Sequence, residues 1–532
     1  MGFFLGRQKF ALAALILGIS AFLSRIMGLV RDKIISWQFG ASGEADMYFA
    51  AFVVPDVINY LLAGGFMSIT LIPLLAKGFE KDEASAWRFF SCVELWMFLG
   101  SLTLTLICEI FALPLARATA PGFSEERAIR LAFFTRLILP AQVFFLSGAC
   151  FTALLFLRRQ FAIPALTPLV YNGMIIVCGL AFPYFSSNPD FGMTGYCLGV
   201  TIGAALGAFL LPFLCARKEP MSFSLTLWHP QMLRFLAIAL PLMLGQTVVM
   251  LDEQFLRVFG SMLDEGAVSL LNYARRVSQT PVALMGQAIA VASYPFLASL
   301  LARNDIKNFN STLNKALLNG VELILPLALY MAATSRPILT VIFQGGRFDA
   351  SATIACEPLT QIMLCFAPFW IIYMALVRGY YAREDTLTPA ITGTILAILC
   401  VPLYYFAALP LGAWAIAAVS GAGLSLYTVW LMGIWASRHG ADAFENLGSA
   451  LLKSATASVP AALVTFFALR RLESAWIGNY SFLAGCLLCA AGLAIFCLIY
   501  FPLAGLIDPS LNRKVFGVLR RAGRSSRKND AR

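Results

Sequence analysis

The sequence predicts an all-α polytopic membrane protein of about 14 transmembrane helices. They are expected to form two parallel-repeat six-helix lobes around a central cavity, with two appended helices. Three observations carry this. Of the 532 residues, 60% are hydrophobic and only 13% are charged, where a soluble chain carries about 25% charged residues. Apolar runs of about 20 residues, long enough to cross a bilayer, recur from end to end. The connections between them are short, and no hydrophilic stretch is large enough to fold as a separate domain.

The first run, at about 10–37, is too long for a signal peptide, contains Arg25 and Arg31, and is followed at once by more spans. Spans at about 46–76, 88–115, 128–157, 161–184 and 193–216 complete a first lobe, residues 1–217. The polar stretch "ARKEPMSFSLTLWHPQ" (216–231) marks the lobe boundary. Spans at about 233–259, 266–301, 314–343, 355–381, 387–408 and 411–437 make a second lobe, residues 218–440. An internal repeat supports this division. "SITLIPLLAKGF" resembles "AVASYPFLASLL", and "RRQFAIPALTP" resembles "AREDTLTPAIT". Pro73 then aligns with Pro295 at an offset of 222 residues, and Pro164 with Pro389 at 225. Six spans per unit is an even number, so both copies start on one side and are parallel repeats about the membrane normal. Spans at about 449–469 and 479–506 have no counterpart and look appended, within residues 441–507.

Lys and Arg are commoner in the loops that share a side with the N-terminus, so both termini are expected in the cytoplasm. Much of the net charge of +11 sits in the tail, residues 508–532, which reads as a polybasic segment facing anionic lipid. Nucleic acid is not implied. The 12 cysteines fall in apolar runs, and the lone CxxC, Cys486 to Cys489, lacks the companion ligands of a zinc site. His229 and His439 lie in polar connections. No metal or cofactor is expected.

The informative residues are charges inside spans. On the first helix Arg25, Asp32, Gly28, Ser24 and Arg31 share one arc of about 120°, with apolar residues elsewhere. On the eighth, in "SLLNYARRVSQTP", Ser269, Asn272, Arg275, Arg276, Gln279 and Thr280 share another. A charge at the bilayer centre costs about 2.5–3.5 kcal/mol even on the lenient scale, so these faces need a partner or an aqueous cavity. One reading has Arg25 and Asp32 neutralising each other; the other is a cavity that binds an anion. Arginines exceed carboxylates on these faces, and their forks fit phosphate oxygens. Asp46 opens the second span as a helix cap or a gate residue. Asp252 and Glu253 are adjacent carboxylates in the seventh span, placed to partner Arg257, Arg276 or a coupling cation.

"SRIMGLVRD", "FGASGEADMYFAAFVVPD", "IPLLAKGF", "APGFSEE", "FAIPALTPLVYN", "LNYARRVSQTPVALMGQAIAVASYPFLASL", "FQGGRFD" and "GYYAREDTLTP" follow one another in order. As a set they resemble the MurJ (MviN) lipid II flippases of bacterial cell-wall synthesis. The resemblance implies the multidrug/oligosaccharidyl-lipid/polysaccharide exporter fold, with a cationic cavity and a lipid-tail groove formed by helices 13 and 14. It implies that Arg25, Arg31 and Arg276 bind substrate and that Asp32 and Asp46 fill the family's acidic positions. With these two, the polar residues Ser24, Asn59, Asn272, Arg275 and Gln279 are expected to line the cavity or its gate. Asn59 or Tyr60 stands where many members carry arginine, and Gln279 where they carry glutamate. The implied protein is a multi-pass transporter of the bacterial inner membrane, a monomeric unit moving an undecaprenyl-diphosphate-linked glycan among membrane lipids. A paralogue carrying another undecaprenyl-linked oligosaccharide is the alternative. A membrane glycosyltransferase or polymerase is disfavoured, because no substantial outer loop carries catalytic carboxylates.

Overall fold

The computed structural model describes residues 10–63, 66–185, 192–218, 224–245, 247–475 and 482–513. Among these the chain is helical, with no strand; one isolated bridge joins Gly345 and Phe348 in a turn. It divides into two compact units, residues 1–269 and 270–532.

The first unit holds α1 (Phe10–Phe39), α2 (Gly43–Ala50), α3 (Val53–Ala63), α4 (Phe66–Lys81), α5 (Glu83–Ile110), α6 (Ala112–Thr119), α7 (Glu125–Ile138), α8 (Ala141–Leu157) and α9 (Ala162–Phe185). It continues with α10 (Gly192–Gly203), a π-helical turn (Ala204–Leu210), α11 (Leu211–Ala216), α12 (Gln231–Gly245) and α13 (Thr247–Gly260). Its core joins Leu71, Leu75, Phe89, Phe90, Val93, Phe151, Leu154 and Phe235, from α4, α5, α8 and α12. The α9–α10 contact is tighter. Gly195, Gly199, Gly203 and Gly207 recur every four residues, and a Cβ on them would lie 2.7–2.9 Å from backbone atoms of Cys178, Ile175, Tyr171 and Thr167. Bare glycine lets the two backbones meet, the small-residue packing of membrane helices.

The second unit begins inside α14 (Ala267–Ala302). It continues with α15 (Ile306–Ala333), α16 (Ser335–Ile342), α17 (Ala350–Cys365), α18 (Ala367–Ala382), α19 (Leu387–Leu411), α20 (Ala413–His439), α21 (Leu447–Ala475) and α22 (Phe482–Ile507). Val282, Ile324, Ala328, Leu364, Ala367 and Ile371 form one core. The appended pair forms another from Ala457, Ala461, Phe496, Tyr500 and Ala504, with Tyr330 of α15 packed against it. At its far end, Arg470 of α21 pairs with Glu357 of α17 at 2.7 Å, and Glu473 with Arg336 of α16 at 3.2 Å. Both carboxylates are buried.

Among the described residues 9 helices are long and apolar enough to cross a membrane. They become 10 if α17 and α18, bent by 42°, count as one span. The expected 14 is a larger number. The second expected span is interrupted between α2 and α3 at residues 51–52, with Pro55 in the first turn of α3, while residues 64, 65 and 246, within the second and seventh expected spans, lie outside the described residues. The segment 514–532, most of the expected polybasic tail, lies outside the described residues.

Candidate functional site

On α1 the apolar face, with Phe22, Leu23, Ile26 and Val30, is exposed, as suits a helix in lipid. The opposite arc turns Asp32 inward, where it is buried. Its carboxylate accepts from Nε and Nη2 of Arg31 at 2.9 and 2.8 Å. Arg31 Nη1 donates to Oδ1 of Asn172 on α9 at 3.2 Å, and Asn172 Nδ2 donates to Ser24 Oγ at 3.4 Å. Asp32 is therefore neutralised by its chain neighbour Arg31 and not by Arg25 two turns earlier. Arg25 is exposed and forms no hydrogen bond or ion pair among the described residues.

Asp46 does not cap its own helix. Ser42 caps α2, its hydroxyl accepting from Ala45 N at 3.5 Å. The buried Asp46 carboxylate reaches the start of α14 instead. It accepts from the backbone N–H groups of Gly266 and Ser269 at 2.6 and 2.7 Å and from Ser269 Oγ at 2.8 Å. An anion there meets the orphan donors and positive end of the helix dipole. Around it, Glu265 accepts from Gly43 N at 2.7 Å and pairs with Arg127, while Arg130 pairs with Glu44 at 3.1 Å. A Cβ on Gly122 would lie 2.2 Å from Ser261 O, so the 261–266 turn is pressed directly against the α6–α7 connection.

Of the two carboxylates on α13, Glu253 accepts from Arg257 Nη2 at 2.7 Å, the i,i+4 partner its spacing allowed. Arg257 Nη1 also donates to Asp56 of α3 at 2.7 Å. Asp252 is half-buried beside this pair. Asp56 carries no functional signal in the sequence, because an acidic residue in the first turn of α3, after Pro55, looks like an ordinary helix start. Asn59 is half-buried one turn further along α3.

The polar face expected along α14 is split. Ser269 belongs to the Asp46 cap. Arg275 is buried in the second unit, its guanidinium 5.9 Å from the ring centre of Trp370. With its amide oxygen turned toward Arg275, Gln279 accepts from Nε and Nη2, both at 3.1 Å. Ser278 and Ser420 line the same small cavity. Arg276, one residue on and about 100° round the helix, is exposed; Asn272 is half-buried. Arg25 and Arg31 thus belong to the first unit and Arg276 to the second. Among the described residues no cluster of three His, Cys, Asp or Glu side chains could hold a metal ion.

The profile of the family described as "Lipid II flippase MurJ" matches residues 35–486. The chain belongs to the MurJ family. It is 27% identical over 510 residues to a probable lipid II flippase MurJ of Rhizobium meliloti (strain 1021), covering 92% of this chain and 94% of that one. It is 28% identical over 389 residues to the lipid II flippase MurJ of Burkholderia cenocepacia, covering 70% and 74%. Among solved structures, a lipid II flippase MurJ in an inward closed conformation superposes with a TM-score of 0.75 at 23% identity, covering 93% of this chain and 99% of that one. An inward-facing multidrug resistance MATE family transporter of the MOP superfamily superposes at 0.66 and 15% identity, covering 81% and 98%. As a member of this family, the chain is a multi-pass membrane transporter and not an enzyme.

Proposed function

We propose that the protein moves lipid II, the polyprenyl-diphosphate-linked precursor of peptidoglycan, from the cytoplasmic to the outer leaflet of the bacterial inner membrane. The observation that carries the reading is the MurJ match over residues 35–486 in a chain that places arginines inside otherwise apolar helices. The protein works as a monomeric unit with both termini in the cytoplasm, and two six-helix lobes, residues 1–217 and 218–440, rock around the lipid head. Helices of 441–507 guide the polyprenyl tail.

In this reading Arg25, Arg31 and Arg276 contact the diphosphate, each fork offering paired N–H donors to phosphate oxygens. The exposure of Arg25 supports its availability. Arg31 has its fork on Asp32, so a phosphate engages it by exchanging one anionic partner for another. Ser24, Asp32, Asp46, Asn59, Asn272, Arg275 and Gln279 shape the cavity or its gate, and Asp252 and Glu253 are the candidate coupling carboxylates.

The test is genetic. A host depleted of its own lipid II flippase is given wild type, Arg276→Ala or Arg276→Lys at equal membrane abundance. Wild type should restore growth and both variants should fail, because a point charge does not reproduce a bidentate fork. Losing a charge-assisted contact costs about 1.5–3 kcal/mol, roughly ten- to a hundredfold in affinity. Equal rescue by Arg276→Lys removes the clamp. Failure of inserted wild type removes lipid II as cargo.

A further inference from the structure

Glu94 lies well inside α5, the twelfth of its 28 residues, with a side chain only 7% exposed. Its neighbours in sequence, Phe90, Cys92 and Val93, belong to the apolar core of the first unit. Across the α5–α8 interface its polar neighbours are the Ser147 hydroxyl and the Cys150 thiol, both fully enclosed. Ser101 and Thr105, 7 and 11 residues further on, fall within about 20° of Glu94 on the α5 wheel and are buried too. Among the described residues, Glu94 Oε2, Thr105 Oγ1, Ser147 Oγ and, on α8, Gln142 Oε1 have no partner at hydrogen-bond geometry. Buried polar atoms are nearly always paired, so four open ones on two packed helices mark a seam with spare capacity to take and pass protons.

An ionised carboxylate in that seam would stand in low dielectric with no cation to compensate it. Among the described residues, the titratable groups on the helices packed against α5 are Lys77, Glu80 and Lys81 on α4, Arg117 on α6, Cys150 on α8 and Arg234 on α12. All but Cys150 are exposed. His229, from the connection before α12, reaches Ser85, about 13 Å down the helix from Glu94 at 1.5 Å per residue. A single carboxylate beside a thiol and hydroxyls is also a poor cation cage, which needs several hard oxygen ligands. What the site suits is a proton.

We propose that Glu94 is the proton-binding site of this transporter, coupling its cycle to a proton gradient. In the conformation described the carboxyl keeps its O–H bond. When the α5–α8 seam opens to water, that bond breaks, the proton leaves as hydronium and the carboxylate remains. On the opposite side of the membrane the carboxylate takes a proton from hydronium and closes the cycle. The coupling rests on the transport reading above; the binding site does not.

Dicyclohexylcarbodiimide attacks protonated carboxyls in apolar surroundings and serves as the probe, applied to the full-length protein in liposomes and read by peptide mass. An adduct on the Glu94 peptide is expected, weaker at alkaline pH, unaffected by Na⁺, absent in Glu94→Gln and present in Glu94→Asp. In the same liposomes loaded with lipid II, an imposed pH gradient should change the wild-type flipping rate several-fold. Glu94→Gln should lose that response, while Glu94→Asp keeps it. No adduct at Glu94, protection by Na⁺, or a gradient response that survives Glu94→Gln overturns the proposal. If Glu94 is labelled but wild type moves no lipid II, the proton site stands and the cargo is wrong.

Discussion

At Arg31 and Asp32 two charges adjacent in sequence hold each other inside the first unit, and their side chains are only 13% and 3% exposed. Removing one member strands the other, which costs about 3–5 kcal/mol for a buried pair, whereas removing both leaves no bare charge. Arg31→Ala and Asp32→Ala should each lower the melting temperature of the detergent-solubilised protein, and the double variant should recover part of the loss. Additive losses would mean the pair is not energetically coupled. His229 offers a pH test outside the membrane spans. Gln231 N–H donates to its Nδ1 at 3.2 Å, so the ring proton sits on Nε2, facing Ser85 Oγ at 3.1 Å. Burial first, and Arg88 second, hold its pKa below the ordinary 6.5. The folded state thus disfavours the charged ring. Its contribution to stability is full above the unfolded pKa and is lost as pH falls through it toward the folded value. A melting temperature that declines from pH 8 to pH 5 less steeply in His229→Gln than in wild type is the expected result. These residues also show what patterning can resolve. The wheel put Arg25, Arg31 and Asp32 on one arc, but which arginine takes the carboxylate depended on side-chain reach and on Asn172, 141 residues away in sequence.

Helix α10 and the π-helical turn after it carry the element-scale prediction. The Gly195, Gly199, Gly203, Gly207 stripe is legible in the sequence as a period of four. Gly199→Leu would place its Cβ 2.7 Å from the Ile175 Cα, a backbone atom that cannot swing aside. Overpacking of this kind costs about 1–3 kcal/mol, and reduced thermal stability with α9 and α10 more open to hydrogen exchange should follow. At the far end of α21, Glu357 and Glu473 are buried and rely on Arg470 and Arg336. Arg470→Leu should loosen α21 from α17, read as protease sensitivity around residues 470–475. Element existence was well marked by hydropathy. Element continuity was not, because the break between α7 and α8 at Pro140 and that between α2 and α3 involve only one or two residues in otherwise apolar runs.

For the whole molecule, the 261–266 turn matters most. Asp46, Glu265, Arg127 and Gly122 hold it from α2, α7 and the α6–α7 connection, and α14 starts there and runs on into the second unit. A transport cycle that moves α14 must release these contacts. Gly122→Ala puts a Cβ where the backbone of Ser261 and Met262 stands, so it should push the turn off the α6–α7 connection and lower the melting temperature of the solubilised protein. A melting temperature equal to that of wild type would show that this contact does not hold the turn. Asp46→Ala leaves the Gly266 and Ser269 N–H groups buried without an acceptor, at a cost of about 1–3 kcal/mol. Asp46→Asn keeps one acceptor oxygen and should lose less.

By itself the sequence determined that the chain is a helical membrane protein with arginines inside its spans. Composition, run length and residue spacing are local properties that survive without knowledge of the fold. Ordered motifs were enough to indicate the family. Only the tertiary structure decided that Asp46 serves another helix, that Arg257 is shared between Glu253 and Asp56, that Arg275 and Arg276 part company, and that Glu94 is enclosed. Each of these is a contact between segments far apart in the chain, or a matter of which side of one helix meets another. Such contacts depend on helix rotation and packing distance, which periodicity leaves undetermined.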